Sequence, residues 1–197
     1  MFKIICVTNR QLCKEDFLLR MEKIAACHPS AIILREKDLS TEEYLQLAVK
    51  VLKICAEYNV TCILHKYFEV AMKLGVKKIH LPLPVLREMN LFDKKFFDVI
   101  GALCHSIEEL QEAEKLGCSY VTAGHIFQTD CKKNLEPRGI NFLIRLRESA
   151  KVPIYAIGGI NKENISQVQS VGISGACIMS GFMTCKNVSD FMKKFFL

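Results

Sequence analysis

The chain has 197 residues, half of them hydrophobic and 24% charged, with a net charge of +6. That length and balance suit one folded domain, 1–197, with a full core. No apolar run reaches membrane-spanning length, and "MFKIICVTNR" lacks a signal-peptide core, so the sequence reads as cytoplasmic with no membrane partner. The lysines and arginines are spread along the chain without a basic block or aromatic-interleaved stripe, which argues against nucleic acid as a partner. The ten cysteines include no CxxC pair or Cys/His metal spacing, and Cys6, Cys62 and Cys177 fall inside strand-like apolar runs. They read as small buried hydrophobes, and no metal is expected.

In chain order, "FKIICVT" reads as a strand, and "KEDFLLRMEKIAAC" carries Phe17, Leu18, Met21, Ile24 and Ala25 at helical spacing. "SAIILRE" is the second strand. The helix "STEEYLQLAVKVLKICAEY" follows, opened by Ser40 with Glu43 three residues on, a capping-box signature. "VTCILH" precedes a short helix ending near Gly75, and "VKKIHLP" follows it. "FFDVIGAL" leads to the capped helix "SIEELQEAEKLG", then "SYVTAG", a loop, and the helix "INFLIRLRESA". "VPIYAIGG" with "NKENISQVQSVG", and "ISGACIMSG" with "VSDFMKKFFL", complete eight strand-helix units.

Eight alternations predict an α/β fold, a (β/α)8 TIM barrel with short loops. An open doubly wound sheet fits less well, because "TNRQL" after the first strand is no glycine-rich dinucleotide turn. In a barrel, function gathers at the C-terminal strand ends. There, "AIGGI" (156–160) and "IMSG" (178–181) place small residues at the last two strand ends, so Gly158, Gly159, Ser180 and Gly181 are candidates for a phosphate cradle. Arg35 and Lys37 of "LREK" end the second strand. Arg35 suits bidentate recognition of a carboxylate or phosphate, and Lys37 supplies a point charge; a salt bridge with Glu36 or with a neighbouring loop is the plainer alternative. His125 follows Gly124 at the sixth strand end, where an imidazole can take and return a proton. Thr129, Lys132 and Lys133 lie in the same loop and suit an anionic tail. His65, His80 and His105 also fall near strand ends.

"CVTNR", "LREK", "IGALCHSIEELQEAEKLGCSYVTAGHIFQT", "VPIYAIGGI" and "GACIMSG" resemble, in order and over nearly the whole chain, the thiamine phosphate synthase/TenI superfamily, whose members are (β/α)8 barrels. Within it, the resemblance implies two activities. Synthases join a pyrimidine diphosphate to a thiazole phosphate and need magnesium. Their third strand ends in Asn-Asp-Arg, and an aspartate follows the fourth strand's His-Leu. Here those positions read His65, Lys66 and Tyr67, then "HLPLP" without an acid, which removes charge that magnesium needs.

"GHIFQTDCKK" (124–133) resembles instead the TenI-type thiazole tautomerases. That resemblance implies an isomerase working without a cofactor on a small-molecule thiazole phosphate, with His125 as the catalytic acid/base. It places the phosphate at Gly158, Gly159, Ser180 and Gly181, with Arg35 and Lys37 at the carboxylate and Thr129 and Lys132 in the closing loop. It also allows a homo-oligomer. Two alternatives stand beside it: a thiamine phosphate synthase, and a non-catalytic thiazole-phosphate-binding regulator.

Overall fold

The computed structural model describes residues 1–129 and 135–195. Eight parallel strands close in sequence order into a barrel, β1 pairing with both β2 and β8. They are β1 (Lys3–Val7), β2 (Ala31–Leu34), β3 (Cys62–His65), β4 (Lys78–Pro82), β5 (Val99–Cys104), β6 (Tyr120–Gly124), β7 (Ile154–Ile157) and β8 (Gly175–Ile178). The expected α/β barrel is what the chain forms.

Ten helices surround the strands among the described residues: α1 (Phe17–Ala25), α2 (Thr41–Glu57), α3 (Phe68–Lys73), α4 (Leu83–Glu88), α5 (Leu91–Phe96), α6 (Ile107–Lys115), α7 (Gly139–Ser149), α8 (Ile165–Ser170), α9 (Ser180–Thr184) and α10 (Val188–Lys193). None is long and apolar enough to cross a membrane. The capping signals work as the sequence implies. The Ser40 hydroxyl accepts from the Glu43 N–H at 3.3 Å, and the Glu43 carboxylate accepts from the Ser40 N–H at 2.8 Å. Ser40→Ala is expected to cost about 1 kcal/mol in urea unfolding, the usual worth of an N-cap. At α6 the box is half used: Ser106 caps Glu109, but the Glu109 carboxylate turns to the His105 N–H.

Burial of every strand on both faces explains their continuous apolar runs. One set of side chains faces the helices. The other fills the barrel interior and includes Ile5, Val7, Ala31, Ile33, Ile63, Tyr120, Tyr155 and Cys177. Side chains alternate along a strand, so counting two residues on from these positions says what the barrel mouth contains. Ile33 leads to Arg35 and Lys37, Ile63 to His65, and Tyr120 to Thr122 and Gly124. Tyr155 leads to Ile157 and Gly159, and Cys177 to Met179. The fold itself delivers the strand-end candidates to one place.

Candidate active site

A cavity of about 190 Å³ opens at this end of the barrel. Its wall includes Arg35, Lys37, His65, His125, Thr129, Gly158, Gly159 and Ser180, with an apolar surface from Val7, Pro82, Leu103, Ile157, Ile160, Ile178 and Met179. Seven of the nine residues expected from sequence therefore meet here. Gly181 is not part of this wall: a Cβ there would come within 2.3 Å of the Phe191 ring, so its smallness serves the packing of α9 on α10. Lys132 lies outside the described residues.

The glycine end is built by the chain's own close approach. Gly158 and Gly159 have φ of +101° and +68°. A Cβ on Gly158 would lie 2.3 Å from the His125 Cβ, and one on Gly159 would lie 2.4 Å from the Gln128 carbonyl oxygen. The Gly158 carbonyl accepts from the Phe127 N–H at 3.0 Å, and the Gly159 carbonyl accepts from the Asn164 side-chain amide at 2.9 Å. In trans peptide planes the N–H points opposite to the C=O. The N–H groups of Gly159 and Ile160 therefore face away from these partners, the arrangement that backbone anion cradles use.

The cationic side comes from β2. Arg35 reaches across the barrel mouth, its Nη1 3.8 Å from the Met179 sulfur, next to Ser180. Glu36 does not form the ion pair with Arg35 that the sequence offered as the plainer alternative. It turns to the other side of the strand, where it accepts from the Thr8 hydroxyl at 2.6 Å and the Arg10 N–H at 3.0 Å. Burial pushes its carboxyl above the usual range despite those bonds.

His125 is only 6% exposed. Its Nε2 lies 3.2 Å from the Leu135 carbonyl oxygen. A carbonyl only accepts, so Nε2 carries the proton, and Nδ1 is buried without a partner among the described residues. A Cβ on Gly124 would collide with the Ile157 carbonyl oxygen at 2.3 Å, so that glycine lets β6 lie against β7.

His65 and His80 sit on adjacent strands in register, their rings stacked with centroids 5.8 Å apart. His80 Nδ1 is 3.1 Å from the Tyr120 hydroxyl and its Nε2 is 3.3 Å from the Thr122 hydroxyl. Gly101 makes room for this pair, since a Cβ there would meet the Tyr120 ring at 2.1 Å. These interior partners were not foreseen from sequence, although counting inward from Tyr120 and Thr122 exposes them. Burial pushes the His80 imidazole down to about 3 and the His65 imidazole well below its ordinary value, the Arg35 charge adding to both.

Such histidines make the fold acid-sensitive. The unfolded chain takes up protons near pH 6.5 that the folded chain refuses, so stability is full above that pH and falls as pH drops toward 3. For His80, urea unfolding is expected to lose about 2 kcal/mol between pH 7 and pH 5, a loss that His80→Leu removes whatever its baseline stability. His105 is partly exposed and lies beside Glu109, its Nδ1 3.3 Å from the carboxylate, consistent with its place at the start of α6.

The magnesium that the family resemblance implies finds no matching donor set among the described residues. The β3 and β4 ends offer His65, Lys66, Tyr67, His80 and Pro82, which are imidazoles, a cation, a phenol and an imide rather than carboxylates. Magnesium prefers oxygen ligands and carboxylates. Glu36 is committed to Thr8 and Arg10. The described residues hold no cluster of three or more metal-ligating side chains, and the nine described cysteines are free thiols.

Comparison with known proteins places the whole chain. The family model described as thiamine monophosphate synthase matches residues 4–182. A thiamine-phosphate synthase from Fusobacterium nucleatum is 32% identical over 201 residues, covering 98% of this chain and 97% of the relative. One from Clostridium acetobutylicum is 30% identical, covering 96% and 90%. A solved structure, thiamine phosphate pyrophosphorylase from Pyrococcus furiosus, superposes with a TM-score of 0.83 at 26% identity, covering 98% of this chain and 93% of that one. These findings overturn the tautomerase expectation and the isomerase class with it. The motif behind it is ten residues in one loop, four of them outside the described residues, whereas likeness to synthases runs the full length.

Proposed function

We infer the activity from the family: the chain belongs to the thiamine monophosphate synthase family, and the function best supported is that of a thiamine-phosphate synthase. In this reading it is a transferase that joins a pyrimidine carrying a diphosphate to a thiazole carrying a phosphate. The observation that carries it is the whole-length similarity to synthases, at about 30% identity in several of them. The make-up of the cavity agrees: a glycine-walled end, a cationic side and apolar surface between them meet in one space.

The residues divide the work as follows. The thiazole phosphate lies at the turn of Gly158 and Gly159 beside Ser180, held by backbone N–H groups. The two heteroaromatic rings lie on the apolar surface of Ile157, Ile160, Leu103 and Met179, which excludes water from the reacting atoms. The thiazole nitrogen lone pair forms the new bond to the pyrimidine's methylene carbon. The bond from that carbon to the diphosphate oxygen breaks, and diphosphate leaves with the electron pair. Arg35 and Lys37 meet the negative charge that gathers on it, the interaction that strengthens as the bond breaks. Thr129 contributes a hydroxyl at the wall, and neutral His65 a ring that adds no further charge.

A binding experiment tests this arrangement. With thiazole phosphate and inorganic diphosphate added together, ³¹P NMR is expected to show both ligands bound at once. Mutual displacement would mean one anion site rather than two, and would contradict the proposed division of the cavity.

A further inference from the structure

The cavity wall explains Arg35 and Lys37 but leaves the carboxylate between them unused. Glu36 is 2% exposed, an unusual place for an acid, and Thr8 is fully buried beside it. We propose that Thr8 and Glu36 are positioning residues that aim the Arg35–Lys37 arm at the diphosphate, a role that rests on the synthase reading and assigns the β1–β2 loop contact to substrate binding.

Two sets of contacts set the geometry. Arg35 and Lys37 line the cavity, while Glu36 and Asp38 meet the loop that follows β1. Both are clasped there. The Thr8 hydroxyl accepts from the Arg35 N–H at 2.9 Å and donates to Glu36 Oε1 at 2.6 Å. The Arg10 N–H reaches the Glu36 oxygens at 3.1 and 3.0 Å. Two residues on, Asp38 accepts from the Arg10 guanidinium at 2.6 Å and from the Gln11 side-chain amide at 3.1 Å. The backbone bearing each cation is thereby bonded on the side opposite the substrate, at Arg35 itself and at both neighbours of Lys37. Long cationic side chains lose rotamer freedom when they grip an anion, and a fixed backbone lowers that cost. Thr8 spends its hydroxyl proton and accepts one N–H, so a methyl in its place breaks two bonds without changing shape.

The test uses inorganic diphosphate as the probe in isothermal titration, alongside steady-state kinetics and thermal melts of the whole chain. Thr8→Val is expected to weaken diphosphate binding about ten-fold and to lower kcat/KM for the pyrimidine diphosphate by a similar factor, mainly through kcat, as for a residue that acts through Arg35. Thr8→Ser, which keeps the hydroxyl, is expected to bind within about two-fold of wild type. Glu36→Gln keeps a carbonyl acceptor but loses the second, and is expected to fall between them; it serves where Thr8→Val does not fold. Wild-type affinity in a folded Thr8→Val overturns the clasp and leaves the synthase reading standing. Equal weakening in Thr8→Ser and Thr8→Val, following their loss of melting temperature, also overturns it, since that pattern marks structural support alone. Failure of wild type to bind diphosphate at all overturns both.

Discussion

Replacing Gly158 by alanine is expected to destabilise the protein by about 3 kcal/mol and to abolish ligand binding. Two independent costs fall on the same atom. Its φ of +101° lies in a region that side-chain-bearing residues rarely adopt. The new methyl would also sit 2.3 Å from the His125 Cβ and 2.7 Å from its Cα, a backbone neighbour that cannot turn aside as a flexible side chain would. Relief requires the segment from His125 to Gln128 to move off β7, breaking the bonds from Ile126 to Ile157 and from Phe127 to Gly158. Those bonds orient the glycine turn, so the glycine end of the cavity is lost with them. Urea unfolding checks the first effect and titration with thiazole phosphate the second. A Gly158→Ala protein of wild-type stability and affinity would show that the turn has room it is not expected to have.

Arg35→Ala is expected to lower kcat/KM for condensation by a factor of about 100 or more, roughly 3 kcal/mol of transition-state stabilisation. The side chain spans from the end of β2 to Met179 at the end of β8, beside the apolar surface of the cavity. Charge on a departing diphosphate grows as its bond breaks, so the loss belongs mainly in kcat, with a smaller rise in KM. Arg35→Lys keeps the charge but not the planar fork, and recovers only part of the rate. The same substitution has a second readout. Arg35 is one of the charges that hold His65 and His80 neutral, so removing it raises both imidazoles and shrinks the acid destabilisation, which still begins near pH 6.5 but levels off at a higher pH than in wild type. An Arg35→Ala enzyme with an unchanged rate would remove this residue from the chemistry.

How far these features were legible in the sequence differs from one to the next. The barrel was legible, because eight apolar runs alternate with capped amphipathic helices, and the Ser40–Glu43 box forms as written. The site was mostly legible, because a closed parallel barrel leaves its strand ends at one mouth, and Arg35, Lys37, His125, Thr129, Gly158, Gly159 and Ser180 all line it. Gly181 was not, since smallness looks the same in sequence whether it admits an anion or a phenylalanine ring. The partners of Glu36 were hidden for a related reason. Thr8 and Arg10 lie 28 and 26 residues away in sequence and reach it only once β1 pairs with β2.

The activity was the reading that local sequence misdirected. A histidine after a strand-end glycine has the form of an acid/base centre, but form does not fix which neighbours occupy the ring. Here a carbonyl ten residues on takes one nitrogen, and burial takes the other out of solvent. The histidine motif occupies one loop, whereas the likeness to synthases extends over the whole chain.

The most direct test of that likeness is turnover. The protein is mixed with the pyrimidine diphosphate and thiazole phosphate in the presence of magnesium, and thiamine phosphate and released diphosphate are measured against a protein-free control. The expected result is equal amounts of both products, formed only when both substrates are present. Neither product above the control, with both substrates bound, would contradict the assignment and leave a barrel that holds these ligands without joining them.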